Sequence, residues 1–265
     1  MTIPSGALVI LTNLPVGRGT SGPRWASIGA EQRAALWKPN DPAKNPHMLA
    51  NELICRTLAK ELGLPVPDSF PHRVSGGLPV FLQLNFNGNG PLLPPVTPPQ
   101  CIAAVAEEPV MTARIVAFDA LIMNTDRHNE NVAFRSRKPG PGMLVVYDHG
   151  HALFGAGGMA LAKTKFRRID WLGCDGDGKP EGRNCFLDHL QDSNALGAAI
   201  AKVEALDDQA IANAVLEARA YGLANDDANR VSDALRRRRD RIRSIVGKNK
   251  KQFPGITQWS LEIPP

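Results

Sequence analysis

Residues 119–131 read Asp-Ala-Leu-Ile-Met-Asn-Thr-Asp-Arg-His-Asn-Glu-Asn, and residues 147–150 read Tyr-Asp-His-Gly. Leading into the first stretch, Ala113 to Met123 is apolar almost all round (Ile115, Val116, Phe118, Leu121, Ile122), which predicts a buried helix ending where Asn124 opens a polar loop. Val132 to Phe134 and Met143 to Tyr147 are short runs of β-formers separated by Arg-Ser-Arg-Lys-Pro-Gly-Pro, a hairpin signal. A hairpin returns its second strand to the level where its first began. Asn131 and Asp148 are therefore expected side by side, with Asp126 in the loop just before them. Three oxygen-bearing side chains then converge on one point.

That set suits phosphoryl transfer. The reaction needs a carboxylate to orient or deprotonate an acceptor hydroxyl and hard oxygen ligands to hold magnesium against nucleotide phosphates, with little covalent work for the protein. Asp126 supplies the first, and Asn131 with Asp148 the second; Asp119, one turn back in the helix, is the next carboxylate to consider as base. The Asp-x-x-x-x-Asn spacing followed by Asp-x-Gly is shared with protein kinases, but here Arg127 and His128 follow the aspartate instead of preceding it. Asp126-Arg-His-x-x-Asn131 and Asp148-His-Gly resemble the branch holding phosphatidylinositol kinases and HipA-like kinases, and Asn124-Thr-Asp-Arg-His resembles the HipA-like members most. The resemblance covers most of residues 17–154 and is strongest over 119–150. It implies ATP and Mg2+ as cofactors, a phosphorylated hydroxyl acceptor such as protein Ser/Thr, and, for some members of that family, an antitoxin-like protein partner.

Composition sets the outer bounds. A chain of 265 residues with 43% hydrophobic content can fill one large domain or two lobes. No apolar run reaches the roughly 18 residues needed to span a bilayer, and the first residues lack a signal-peptide pattern, so a soluble cytoplasmic protein is expected. Cys55, Cys101, Cys174 and Cys185 are scattered without Cys-x-x-Cys spacing, which speaks against a zinc site or a disulfide framework. The net charge of +5 favours acidic partners only weakly, and a direct nucleic-acid role is not expected.

Along the chain, Ala7 to Leu11 reads as a strand, followed by Gly17-Arg-Gly-Thr-Ser-Gly22. No helical period follows these glycines, so a dinucleotide-binding turn is excluded; a phosphate-contacting loop between two strands and a plain surface turn both stand. Ala34 to Lys38 is the next strand, stopped by Pro39, and Lys38 is the candidate for the α- and β-phosphates. His47 to Leu62 carries a helical period closed by Gly63 and Pro65. Glu52 lies towards its buried side and needs a partner, either Lys38, as in kinases, or Arg56 one turn on. Ala50-Asn-Glu52 also resembles the HipA-like pattern. Asp68 to Asn87 reads as a hairpin, with backbone groups near Leu84 facing adenine, and Pro91 to Pro99 is expected to break all regular structure.

After Asp148, His149 to Phe154 with Gly155 to Gly158 resembles the start of an activation segment, glycine-rich and mobile, and Cys174-Asp-Gly-Asp-Gly-Lys179 reads as a polar turn that lacks calcium ligands. His149 and His151 are expected to pack or hydrogen-bond without binding metal. Asp208 to Tyr221 and Asp227 to Val246 read as helices, the second crowded by Arg236 to Arg239, Arg241 and Arg243, a solvated face or an anion-binding one. The expected architecture is α+β, a two-lobed protein-kinase-like fold: a small β-rich lobe over 1–90, a hinge over 91–100, a larger, mainly helical lobe over 101–247 and a tail over 248–265. A pseudokinase that binds nucleotide without turnover, and a lipid or small-molecule kinase, are the alternatives. The intact set Lys38, Glu52, Asp126, Asn131 and Asp148 favours activity.

Overall fold

The computed structural model describes residues 8–16, 22–87, 96–135, 144–155, 158–176 and 179–259. Its N-terminal part is a five-stranded antiparallel sheet, formed by β1 (Val9–Pro15), β2 (Arg24–Ile28), β3 (Arg33–Lys38), β4 (Ser69–His72) and β5 (Val80–Leu84) in the order β1-β2-β3-β5-β4. β2 is a strand that the sequence reading passed over. It pairs with β3 from Arg24↔Trp37 to Ile28↔Arg33 and with β1 across the connection at 16–23, which Val16 N–H closes on Pro23 O at 3.0 Å. The glycine-rich stretch is therefore the link between two antiparallel strands. Gly17 and Gly19 lie outside the described residues, and Gly22 sits in the left-handed region at φ +61°.

Helix α1 (Met48–Glu61) ends as the sequence predicts. Gly63 N–H donates to Lys60 O and Leu64 N–H to Ala59 O, a paired closure that needs a left-handed residue at Gly63, where φ is +66°. The sheet keeps its own apolar cluster of Ala26, Ile28, Ala35, Val80, Leu82 and Leu84. By contrast, Leu49, Leu53, Ile54 and Leu58 of α1 belong to the core of the helical part, and Phe81 is the sheet residue that joins them there.

The C-terminal part contains α2 (Pro98–Glu107), α3 (Pro109–Leu121), a two-stranded sheet of β6 (Val132–Phe134) and β7 (Leu144–Val146), α4 (Gly158–Arg167), α5 (Ser193–Glu204), α6 (Asp208–Ala220) and α7 (Asn225–Lys248). The expectation that Pro91 to Pro99 breaks all regular structure fails at its end: Pro98 and Pro99 open α2, where a missing N–H costs nothing. Thr97 N–H donates to Gln100 Oε1 at 2.8 Å across that first turn. The expectation of a mobile segment after Asp148 fails up to Phe154, because Ala152, Leu153 and Phe154 are fully buried. Beyond α7, Phe253 and Ile256 are buried and Trp259 packs edge-on to Phe253, so the tail is anchored in the core as far as it is described. Among the described residues no helix is long and apolar enough to cross a membrane.

The arginine run on α7 is neither a free cationic face nor a merely solvated one. Arg239 pairs with Asp208, Arg241 with Asp170 and Arg243 with Glu204. Arg238 falls in phase with Val231, Leu235, Ile242 and Ile245 and is buried with them. Its guanidinium donates to the carbonyls of Ala120, Leu121, Trp171 and Leu172, and burial pushes its pKa down to about 10. Two of those carbonyls lie at the C-terminal end of α3, where backbone oxygens lack helical donors and a cation is favoured.

Candidate active site

The polar loop after α3 is built around a buried ion pair. Arg127 Nε lies 3.0 Å from Asp119 Oδ2, both side chains wholly excluded from solvent. Arg127 Nη1 also donates to the carbonyls of Asn131 (3.0 Å) and Tyr147 (2.6 Å), while Asn124 and Asn184 complete Asp119 at 2.9 and 2.8 Å. With Arg127 Nη2 at 3.2 Å from its Oδ1 as well, Asp119 has four donors and no exposure, which removes it as a candidate base. Arg127 fixes at once the residue before β6 and the residue after β7. The β6–β7 register, Val132↔Val146, sets Asn131 opposite Tyr147, with Asp148 the next residue along. The predicted hairpin puts the two expected metal ligands at one end of a small sheet.

Asp126 stands at the mouth of this loop with 29% of its side chain exposed. Its carbonyl accepts Asn131 Nδ2 at 2.7 Å, which turns the Asn131 amide oxygen the other way. Two histidines flank the Asp126 carboxylate: His151 Nδ1 at 3.3 Å and His128 Nε2 at 3.7 Å. Donation of its ring N–H to the Asp126 carboxylate holds the His151 pKa above its ordinary value, against its partial burial.

Lys38, at the end of β3, meets this loop from the other side. Its Nζ lies 2.5 Å from Glu52 Oε1 and 2.7 Å from Asp148 Oδ1. Of the two partners weighed for Glu52 the structure gives it Lys38, and Arg56 instead binds Glu217 on α6. Burial alone would lower the lysine pKa, but Asp148 and Glu52 raise it. Burial likewise opposes ionisation of Asp148, yet the Lys38 ammonium outweighs it and holds the carboxyl at about 2. Glu52 is pushed up by burial, against the pull of Lys38 and of the His149 N–H that its Oε2 accepts at 3.2 Å. His149 is buried, edge-on to Phe118, and burial drives its pKa well below the usual range, so it is a neutral packing residue.

Lys38 is in direct contact with both Glu52 and Asp148, and Asp126 bonded to Asn131 adjoins them at the end of the hairpin. Leu84 is not part of this cluster. Its N–H donates to Asp68 O at 2.8 Å and the next, of Asn85, to Ala34 O at 3.0 Å, so neither is a free donor for adenine. The donor chemistry fits magnesium: one carboxylate and one amide oxygen, both hard, are what a Mg2+ ion shared with phosphates takes from a protein. Among the described residues no three His, Cys, Asp or Glu side chains converge as a metal cage.

Sequence reasoning quoted Arg127 and Asn51 inside motifs without giving either a role, and it missed Asn184, the burial of Arg238 and the contact of His151 with Asp126. The burial of Arg238 had a legible signal, its phase on the apolar stripe of α7.

No family model matches the chain, and no curated protein matches it. Among solved structures the chain is similar to the Helicobacter pylori proinflammatory kinase CtkA, at TM-score 0.56 and 15% identity, with 86% of this chain and 94% of that one covered. It also matches a structure of the Shewanella oneidensis MR-1 toxin–antitoxin system HipA, HipB and its operator DNA, at TM-score 0.43 and 15% identity, covering 93% of this chain and 65% of that one. The likeness to CtkA identifies the fold as kinase-like.

Proposed function

We propose that this protein is a HipA-like kinase that transfers the γ-phosphoryl group of ATP, with Mg2+, to a protein serine or threonine hydroxyl. The observation that carries this reading is the contact of one buried ammonium, Lys38, with both Glu52 and Asp148, on a fold shared with a kinase. Lys38, oriented by Glu52, binds the α- and β-phosphates. Asn131 and Asp148 hold magnesium, which supplies charge neutralisation on the phosphate oxygens when bound. Asp126, half-buried but open to solvent and clear of the Lys38 ion pairs, accepts the proton of the acceptor hydroxyl.

A second reading, nucleotide binding without turnover, draws on the 2.7 Å contact of Lys38 with Asp148, which neutralises the metal-binding carboxylate. One experiment separates the two. Wild type and Asp126→Asn are incubated with ATP and MgCl2, alone and with a serine-rich protein such as casein, and phosphate incorporation is read by mass spectrometry beside ATP affinity. The kinase reading expects incorporation by wild type and a loss of about 10²- to 10⁴-fold in Asp126→Asn at nearly unchanged affinity. Magnesium-dependent ATP binding without incorporation would establish the second reading.

A further inference from the structure

Asn51 has no solvent exposure, and both ends of its amide are engaged by the segment that follows Asp148. Its Nδ2 donates to Gly150 O at 2.7 Å, and its Oδ1 accepts Phe154 N–H at 3.3 Å. The adjacent Glu52 takes His149 N–H, so two consecutive residues of α1 grip the main chain at positions 149, 150 and 154. Asp148 itself sits at φ +59°, a left-handed conformation that residues other than glycine seldom hold without outside support. Packing adds to the grip, since a Cβ on Gly150 would lie 3.2 Å from Met48 Cγ and 3.5 Å from Asp148 Oδ1.

We propose that Asn51 is the positioning residue of the metal site: by holding the Gly150 carbonyl and the Phe154 amide on α1, it keeps Asp148 in the conformation from which its carboxylate serves magnesium. The inference rests on the kinase reading for the metal and on the geometry alone for the grip. The chemistry of the side chain is specific. One short neutral group must donate to a carbonyl and accept from an amide; aspartate would set an oxygen against Gly150 O, and alanine would strip the Phe154 amide of this acceptor and leave Gly150 O only the longer 3.3 Å bond from Asn45 Nδ2.

The test uses the full chain as Asn51→Asp and Asn51→Ala, with Thr57→Val as a control that removes a 3.0 Å hydrogen bond from α1 to Glu217 away from the site. Thermal stabilisation by ATP is titrated with MgCl2, and amide exchange is followed over residues 148–154 and 53–61. Both Asn51 variants are expected to need about 10- to 100-fold more Mg2+ for half-maximal stabilisation, the size of effect that loss of outer-shell support has on metal affinity. ATP binding without Mg2+ is expected to stay as in wild type, exchange at 149–154 to accelerate, and residues 53–61 to remain protected. Thr57→Val is expected to leave the Mg2+ requirement unchanged. A wild-type Mg2+ requirement in Asn51→Asp and Asn51→Ala overturns the proposal, as does an equal rise in Thr57→Val, which would make the effect a general loosening of α1. A wild type that shows no Mg2+-dependent stabilisation sinks the kinase reading and the metal half of this inference with it. Unchanged exchange at 149–154 overturns the grip in either case.

Discussion

Arg127 holds Asp119 through two nitrogens, Nε to Oδ2 at 3.0 Å and Nη2 to Oδ1 at 3.2 Å, in a space from which water is wholly excluded. Removing one partner strands the other charge, and a buried pair broken in this way costs about 3–5 kcal/mol. Asp119→Ala is therefore expected to be among the most destabilising single changes in the chain. Urea unfolding of the variant measures it. A loss no larger than the ~1 kcal/mol of an ordinary substitution would show that the pair does not hold the loop.

Lys38 and Glu52 are expected to depend on each other. Because the ammonium contacts both carboxylates, neutralising Glu52 leaves Lys38 drawn to Asp148 alone, and neutralising Lys38 leaves the buried Glu52 carboxylate beside the half-buried one of Asp148 with no cation between them. A double-mutant cycle with Lys38→Met and Glu52→Gln, read on ATP affinity, should show a coupling above about 0.5 kcal/mol. Additive losses would mean that the contact does not contribute to nucleotide binding.

Asp148→Ala is expected to remove most of the Mg2+-dependent part of ATP binding, because a site of this kind rests on one or two protein ligands. Thermal shift with ATP, with and without MgCl2, checks it. Equal stabilisation of wild type and variant by the magnesium complex would place the metal elsewhere.

His151 gives a pH signature. Its pKa is raised by the hydrogen bond to Asp126, so the pair stabilises the fold fully below about 6.5, the ordinary histidine value, and that contribution fades as pH rises through the raised folded-state pKa. NMR titration of the His151 ring should give a midpoint above the ordinary value in wild type and a lower one in Asp126→Asn. Identical midpoints would show that the two side chains do not interact in solution.

Much of this arrangement was legible in the chain because local signals and chemistry agreed. The apolar run ending at Met123, the polar loop and the β-formers around 132–147 each predicted an element, and together they brought Asn131 and Asp148 to one end. Lys38 and Glu52 followed from the cost of a buried carboxylate. What stayed hidden depends on contacts far apart in sequence. Nothing near Asn51 announces that it meets Gly150 and Phe154, and nothing near Asn184 points to Asp119. α2 was masked by prolines that mark a helix start as readily as a break. β2 buries only Ala26 and Ile28 of its five residues, too little for a pattern.

The membership of α1 in the core of the helical part bears on motion. The helix is tied there by Leu53 and Leu58, by Arg56 and Thr57 on Glu217, by Asn51 on Gly150, and by His47 Nε2 at 3.0 Å from Asp227 of α7. The five-stranded sheet has a separate cluster and reaches the same core through Phe81. An opening that leaves α1 with the helical part would withdraw Lys38 from Glu52 and Asp148 in one movement, and would also break the 2.6 Å bond from Arg56 Nη1 of α1 to Ser69 O of β4. A spin-label distance from β3 to α1 would lengthen while one from α1 to α6 stayed fixed. The state of the whole molecule, open or shut, would be reported by the position of a single nitrogen atom.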